Sequence, residues 1–420
     1  MGNFVNKEPP PPMVLVPPIF DFPPLAARTR MLVPAYDLLF VKLALQCLFE
    51  DYFEDARNFS ARIMLKPRED PHIDLVATVS GPLDGSKEGN AVFRWQRDLE
   101  DPNSFVEVSV STSEPFIRFK SCVYLPELGL GIFGILPLLT QRRTHSENSG
   151  FIGVRYGSEN LSIGTSLAPF SLSAGFPSCA WLVGRAGRLC AGVLYKPPCE
   201  GIKDEVDFRH LKNWSWAVGY RVGSGTPLRP SFNVSLELAA NSELTASFYQ
   251  HVVVQRRVQN PFEASQVVGI TNYIDFGFEL KTRFKEHKST ASVDRSTFQV
   301  AASWQANKNI LLKGKIGPSL SSMALAFKSW WRPSFTFSIT AISDHARGGA
   351  SFGFGIRIED LREASYERAD PNYVMLTPSK EHLAEGVLKK FGSQPMFQSK
   401  VDSGDFDNLP TELKPFERII

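Results

Sequence analysis

Between residues 59 and 358, large apolar side chains alternate with small or polar ones in segment after segment. A β-strand sends successive side chains to opposite faces, so each such segment makes a strand with one greasy face and one small or polar face. Six segments show the pattern best. Trp214, Trp216, Val218, Tyr220 and Val222 alternate with Ser215, Ala217, Gly219 and Arg221. Phe232, Val234, Leu236 and Leu238 alternate with Asn233, Ser235 and Glu237. Ile274, Phe276, Phe278 and Leu280 alternate with Asp275, Gly277, Glu279 and Lys281. The same holds for residues 297–304, 334–341 and 351–358. Turn-rich stretches such as GSGTPLRP, AANSE, KEHKST, QANKN and SDHARGG separate them. Weaker strands are expected at 59–66, 73–80, 91–97, 104–111, 116–124 and 129–136, for about 19 strands in all.

Alternation suits a soluble sandwich as well as a barrel. Three features favour the barrel. About 19 strands make too much sheet for one sandwich. The apolar faces carry Phe, Trp and Leu, while the other faces are small, Gly-rich and dotted with charge, as suits lipid outside and water inside. Aromatics also gather at strand ends, at Trp304 and at Trp330 and Trp331 beside Arg332, and such rings prefer the bilayer interface. Within a bilayer an open edge would strand backbone polar groups at several kcal/mol each, so the sheet must close. The expected fold is an all-β, transmembrane, antiparallel barrel over residues 59–358.

Composition narrows the alternatives. Lys and Arg total 46 against 44 Asp and Glu, a net charge of +2 over 420 residues, so no global field draws the chain to nucleic acid. The longest weakly polar run, residues 128–139, is well short of the roughly 20 residues of a spanning helix. The same run, LGLGIFGILPLL, fails to alternate and reads as a lipid-facing hairpin, with the basic QRRTH after it at headgroup level. The start, MGNFVNKEPPPP, has no basic and apolar pattern of a secretory signal, and Asn6 stands where myristoylation wants Ser or Thr.

Residues 1–34 hold nine of the 30 prolines and read as a flexible, extended arm. Residues 35–58 read as a pore helix or a first strand. Leu38, Val41, Leu45, Leu48 and Tyr52 fit a helix face, and Leu39, Val41, Leu43, Leu45 and Cys47 fit a strand face equally well. Residues 359–420 carry twelve acids and eight bases and lose the alternation. Within this acidic extension Thr377 and Pro378 open a short helix that Gly392 stops.

With apolar faces outward, Arg94, Arg118, Lys120, Arg155, Arg221, Lys281, Arg283, Lys313, Lys315 and Arg357 point inward. Glu107, Glu237, Asp275 and Glu279 oppose them. A basic lumen with low-dielectric walls concentrates anions, so small anionic solutes are the expected cargo. The bland alternative is that these charges only hydrate the wall and pair with one another.

Enzyme signatures are poor. Gly129, Gly131 and Gly134 match a dinucleotide fingerprint by letter, but Pro137 stands where a helix must open. Cys179, Cys190 and Cys199 lack metal-binding spacing, and His145 with Glu147 lies in a polar loop. No cofactor, no metal and no catalytic activity are expected.

The last strand carries a specific pattern. Ser351, Gly353, Ile356 and Ile358 stand in the order polar, any, Gly, any, any, hydrophobic, any, hydrophobic. This resembles the β-signal by which mitochondrial outer-membrane barrels are recognised for insertion. The stretch before it, NKNILLKGKIGPSLSSMALAFKSWWRPSFTFSITAI, is similar to the final hairpins of eukaryotic porins of the voltage-dependent anion channel family. With its Pro-rich arm and acidic extension, the whole chain resembles plant mitochondrial outer-membrane barrels distantly related to that family. The resemblance implies a 19-stranded barrel with an N-terminal helix in or near the pore, inserted by the outer-membrane barrel machinery. The nucleotide-contacting Gly-Leu-Lys motif of the animal porins is missing, and the β-signal is followed by 62 further residues.

The expected function is a porin-like channel of the mitochondrial outer membrane for ion and small-solute transport by passive diffusion. Three alternatives stay open: a non-conducting barrel scaffold or lipid-handling protein at an organelle contact, a channel of the chloroplast outer envelope, and a soluble all-β binding protein.

Overall fold

A computed structural model describes residues 14–15, 31–40, 42–49, 58–65, 67, 70, 72–82, 85–97, 103–113, 116–139, 150–168, 179–197, 211–223, 230–240, 242–259, 266–284, 296–330, 333–345, 348–359 and 374–375. It is all-β around a closed barrel of 19 strands. In chain order these are β1 (Asn58–Leu65), β2 (Ile73–Pro82), β3 (Glu88–Gln96), β4 (Phe105–Ser111), β5 (Ile117–Leu125), β6 (Leu130–Leu139) and β7 (Phe151–Gly157). Then follow β8 (Leu161–Leu167), β9 (Cys179–Ala186), β10 (Leu189–Tyr195), β11 (Trp214–Gly223), β12 (Ser231–Ala239) and β13 (Glu243–Gln259). The last six are β14 (Gln266–Arg283), β15 (Thr297–Gln305), β16 (Ile310–Ile316), β17 (Leu320–Ser329), β18 (Ser334–Asp344) and β19 (Gly349–Glu359).

Each strand pairs antiparallel with the next. The ring closes where β1 meets β19 in parallel, from Phe59 opposite Phe354 to Met64 opposite Glu359. Parallel closure follows from the odd number: directions alternate along the chain, so the nineteenth strand runs the same way as the first. Odd strands therefore start at one rim, called here the near rim, and end at the far rim. Closure leaves no barrel edge to strand backbone groups in lipid.

Burial alternates along the strands as the sequence does. Phe93, Ile132, Leu182, Trp216, Leu236, Phe276, Phe298, Trp304, Leu325 and Phe352 are exposed on the outer face, and no stretch of the ring lacks such residues. A girdle of this size exceeds any apolar patch a soluble monomer leaves wet, and lipid is its natural solvent.

Two local expectations are revised, one open choice is settled and one feature is added. Residues 130–139 form one strand, not a hairpin. Their alternation fails because the inner face is apolar as well: Phe133 is 1% exposed and packs in a cluster with Met31, Trp181 and Tyr124. Trp330 is no interface aromatic. It is buried, its Nε1–H donates to Lys308 O at 2.9 Å, and Lys328 Nζ lies 4.3 Å from its ring centroid. Within residues 35–58 the described part before β1 is helical, as α1 (Ala35–Leu39) and α2 (Lys42–Phe49), and residues 50–57 lie outside the described residues. Finally, β13 and β14 run 17 and 18 residues, far beyond their neighbours. A register shift between Val254 and Gln255 marks the place where this hairpin leaves the wall.

Cys199, His145 with the QRRTH loop, Trp331 and the helix expected from Pro378 lie outside the described residues.

Candidate functional site

The closed wall encloses a lumen, and α1 and α2 lie in it. Pro34 is the N-cap of α1 and Asp37 stands in its first turn, where a negative charge suits the helix dipole. Phe40, with φ −99° and ψ 33°, ends α1 before α2 begins. Tyr36 and Phe40 are buried against Phe133, Trp181, Val183, Cys190 and Ala217, on β6, β9, β10 and β11. Leu45 and Leu48 of α2 are buried with Tyr249 on β13 and Ala301 on β15.

Glycines on the wall make this approach feasible. A Cβ on Gly192 would lie 2.8 Å from Phe40 Cε2, and one on Gly219 would lie 3.2 Å from Phe40 Cδ1. A Cβ on Gly277 would lie 2.6 Å from Leu45 and 2.9 Å from Leu48. These small inward residues are seats for helix side chains, not merely lumen lining. Gly219→Leu is expected to unseat α1 at about 1–3 kcal/mol of overpacking. A spin label on Gln46→Cys should then gain a mobile component. Gly184→Leu is the control, because nothing lies within 4 Å of its Cβ position.

Polar anchors fix the helices as well. Tyr36 O–H donates to Glu237 Oε1 at 3.0 Å, and Lys42 Nζ lies 2.5 Å from the same oxygen. Ser235 Oγ donates to Phe40 O at 3.0 Å. Arg155, 1% exposed, donates from Nη1 to Met31 O at 3.2 Å and to Val33 O at 3.1 Å, gripping the chain just before α1. Nearby on the wall, Asp275 Oδ1 accepts from Tyr249 O–H at 2.8 Å and lies 2.7 Å from His251 Nδ1.

All ten inward bases expected from the sequence sit on the inner face by strand phase, but the structure gives them different work. Arg155 anchors the helical segment. Arg94 lies 4.7 Å from the Phe105 ring and donates to Gln96 at 3.2 Å. Lys120 meets Glu107 at 2.6 Å, Lys281 meets Glu279 at 2.9 Å, and Arg283 meets Glu243 at 2.7 Å. Lys313 is buried in the β16 wall, while Arg118, Arg221 and Lys315 keep intermediate exposure.

Arg357 belongs to a different arrangement. It is the direct partner of Arg62 across the parallel seam. It also pairs with Thr336 on β18, which pairs with Lys328 on β17. On the other side Arg62 pairs with Thr78, and Thr78 with Asn90. One row of inward positions thus reads Lys328, Thr336, Arg357, Arg62, Thr78, Asn90, with three bases and no acid. Adjacent strands are about 4.8 Å apart, so the two arginines are immediate neighbours. Sequence reasoning missed Arg62 and Lys328. The alternation of Ala324, Ala326 and Lys328 against Met323, Leu325 and Phe327 carried the signal for Lys328; Arg62 acquires its meaning only from closure.

The insertion-signal positions all lie on β19, with Ser351 and Gly353 on the inner face and Ile356 and Ile358 on the outer. No family model matches the chain, and no curated protein matches it.

Proposed function

We propose that this chain is a porin-like channel of the mitochondrial outer membrane, passing small hydrophilic, anionic solutes by passive diffusion past its own lumen helices. The observation that carries this reading is a closed wall with an apolar exterior and an inner face that carries bases, the seam neighbours Arg357 and Arg62 among them. Nineteen tilted strands enclose a barrel about 40 Å across between backbones. A helix about 10–12 Å wide leaves a passage beside it. Positive charge on the inner face raises the local anion concentration, and passage width sets the size limit. Outer-membrane placement draws on the resemblance of the last strand to a β-signal, and the chloroplast outer envelope is the other organelle it fits.

Reconstitution in planar bilayers across a KCl gradient tests the reading. Stable conductance with a reversal potential on the chloride side is the expected result. A cation preference, or a silent membrane, would overturn it.

One observation favours a second reading, a non-conducting scaffold. Inner-wall residues far round the ring are buried: Ala326 and Thr340 are 0% exposed, and Thr336 and Ser338 only 3%. A wide aqueous bore would leave such positions wetter. Removal of residues 360–420 separates the two, since a channel keeps its conductance and a recruiting scaffold loses its role.

A further inference from the structure

Past the bulge at Val254 and Gln255, the β13–β14 hairpin projects beyond the far rim. The last partner of β14 on β15 is Tyr273, opposite Gln305. Residues 266–272 therefore extend roughly 20 Å past the end of β15. A bare hairpin there would offer an open edge. The chain covers that edge with its own ends. Val14 and Leu15 pair in parallel with Gly269 and Ile270 of β14. Val374 and Met375 pair antiparallel with Leu15 and Val14. A short sheet results, ordered β13, β14, Val14–Leu15, Val374–Met375.

The directions are informative. As an even strand, β14 runs from the far rim toward the near rim. Val14–Leu15 runs the same way, toward the barrel mouth. Met31, the next described residue along the chain, lies beside Gly131 near the far rim, where Arg155 holds it. The helices follow within the lumen, and β1 then starts at the near rim. Meanwhile β19 ends at the far rim, and Val374–Met375 runs outward from it. Each direction agrees with a single path.

From these registers we infer that the projecting hairpin is a docking surface for both ends of this chain. Val14–Leu15 beyond the far rim and Asn58 at the near rim bracket the lumen helices, and Val374–Met375 clasps Val14–Leu15 as the outer strand. The lumen helices are held at both ends, by the clasp and by β1. The Pro-rich arm and the acidic extension consequently share one face of the membrane, although an odd-stranded barrel by itself would put its two ends on opposite faces. None of this depends on whether the lumen conducts.

Two measurements on the full chain in vesicles test it. Val14 and Met375 are direct partners, with Cα atoms about 4.5–5.5 Å apart, within disulfide range. Val14→Cys with Met375→Cys should therefore cross-link within one chain in more than half the molecules under mild oxidation. Val14→Cys with Gly349→Cys, at the near rim, should not. Different epitope tags on the two termini should be reached by antibody from the same side of sealed vesicles. Tags on opposite sides, or equal cross-linking of both cysteine pairs, would overturn the clasp. The tag measurement stands even where a cysteine variant fails to insert.

Discussion

Replacing Arg62 and Arg357 together by glutamate is expected to carry the reversal potential of the reconstituted pore toward the potassium side. Each unit charge at about 8 Å in water contributes about 0.5 kcal/mol to the energy of a passing monovalent ion. The double replacement changes the seam by four charge units. Screening at 0.1 M salt reduces the effect by about e over one Debye length of about 10 Å. What survives is a several-fold fall in the anion-to-cation permeability ratio. The comparison is Glu279→Gln with Lys281→Gln, which removes a pair only 2.9 Å apart and leaves the net charge unaltered. That variant should keep the parent selectivity. Equal shifts in both would show that the seam has no special place, and no shift in either would leave the conducting path elsewhere.

Arg155→Ala is the second change with a large expected effect. The guanidinium donates to two backbone carbonyls, Met31 O and Val33 O, from a site with almost no solvent contact. Hydrogen bonds from a charged group contribute about 1.5–3 kcal/mol each, and their loss also leaves two carbonyls to find new partners. A loss of about 3 kcal/mol in the attachment of the lumen segment is expected. Amide exchange over α1 and α2 should then accelerate by about 100-fold. Strands such as β17 and β18 should keep their protection, because the barrel ladder does not involve Arg155's side chain. Arg155→Lys, which can still reach one carbonyl, should fall between the two. If exchange accelerates equally in the barrel strands, Arg155 supports the wall and not the helices.

The all-β fold and the strand number were legible before any coordinates, because they depend only on the two-residue period and on the turns between segments. Where that reasoning faltered, the cause was local. Residues 130–139 have no polar face, since Ile132 and Leu138 belong to the apolar outer face and Met31 and Trp181 cover the strand inside. Trp330 looked like an interface ring, yet the strand phase carried by Lys328 turns it inward.

Residues 35–58 fitted helix and strand equally on paper. Packing decided between them for α1 and α2: Gly192, Gly219 and Gly277 leave room for Phe40, Leu45 and Leu48 if these two stretches coil inside the wall. The meeting of Arg62 with Arg357 and of Val14 with Met375 joins residues far apart in the chain. A period of two dictates which face a side chain takes, but it carries no information on which strand closes the ring or what threads through it. Those choices came from long-range backbone pairing and from the volume left inside the barrel, and only the folded chain expresses either.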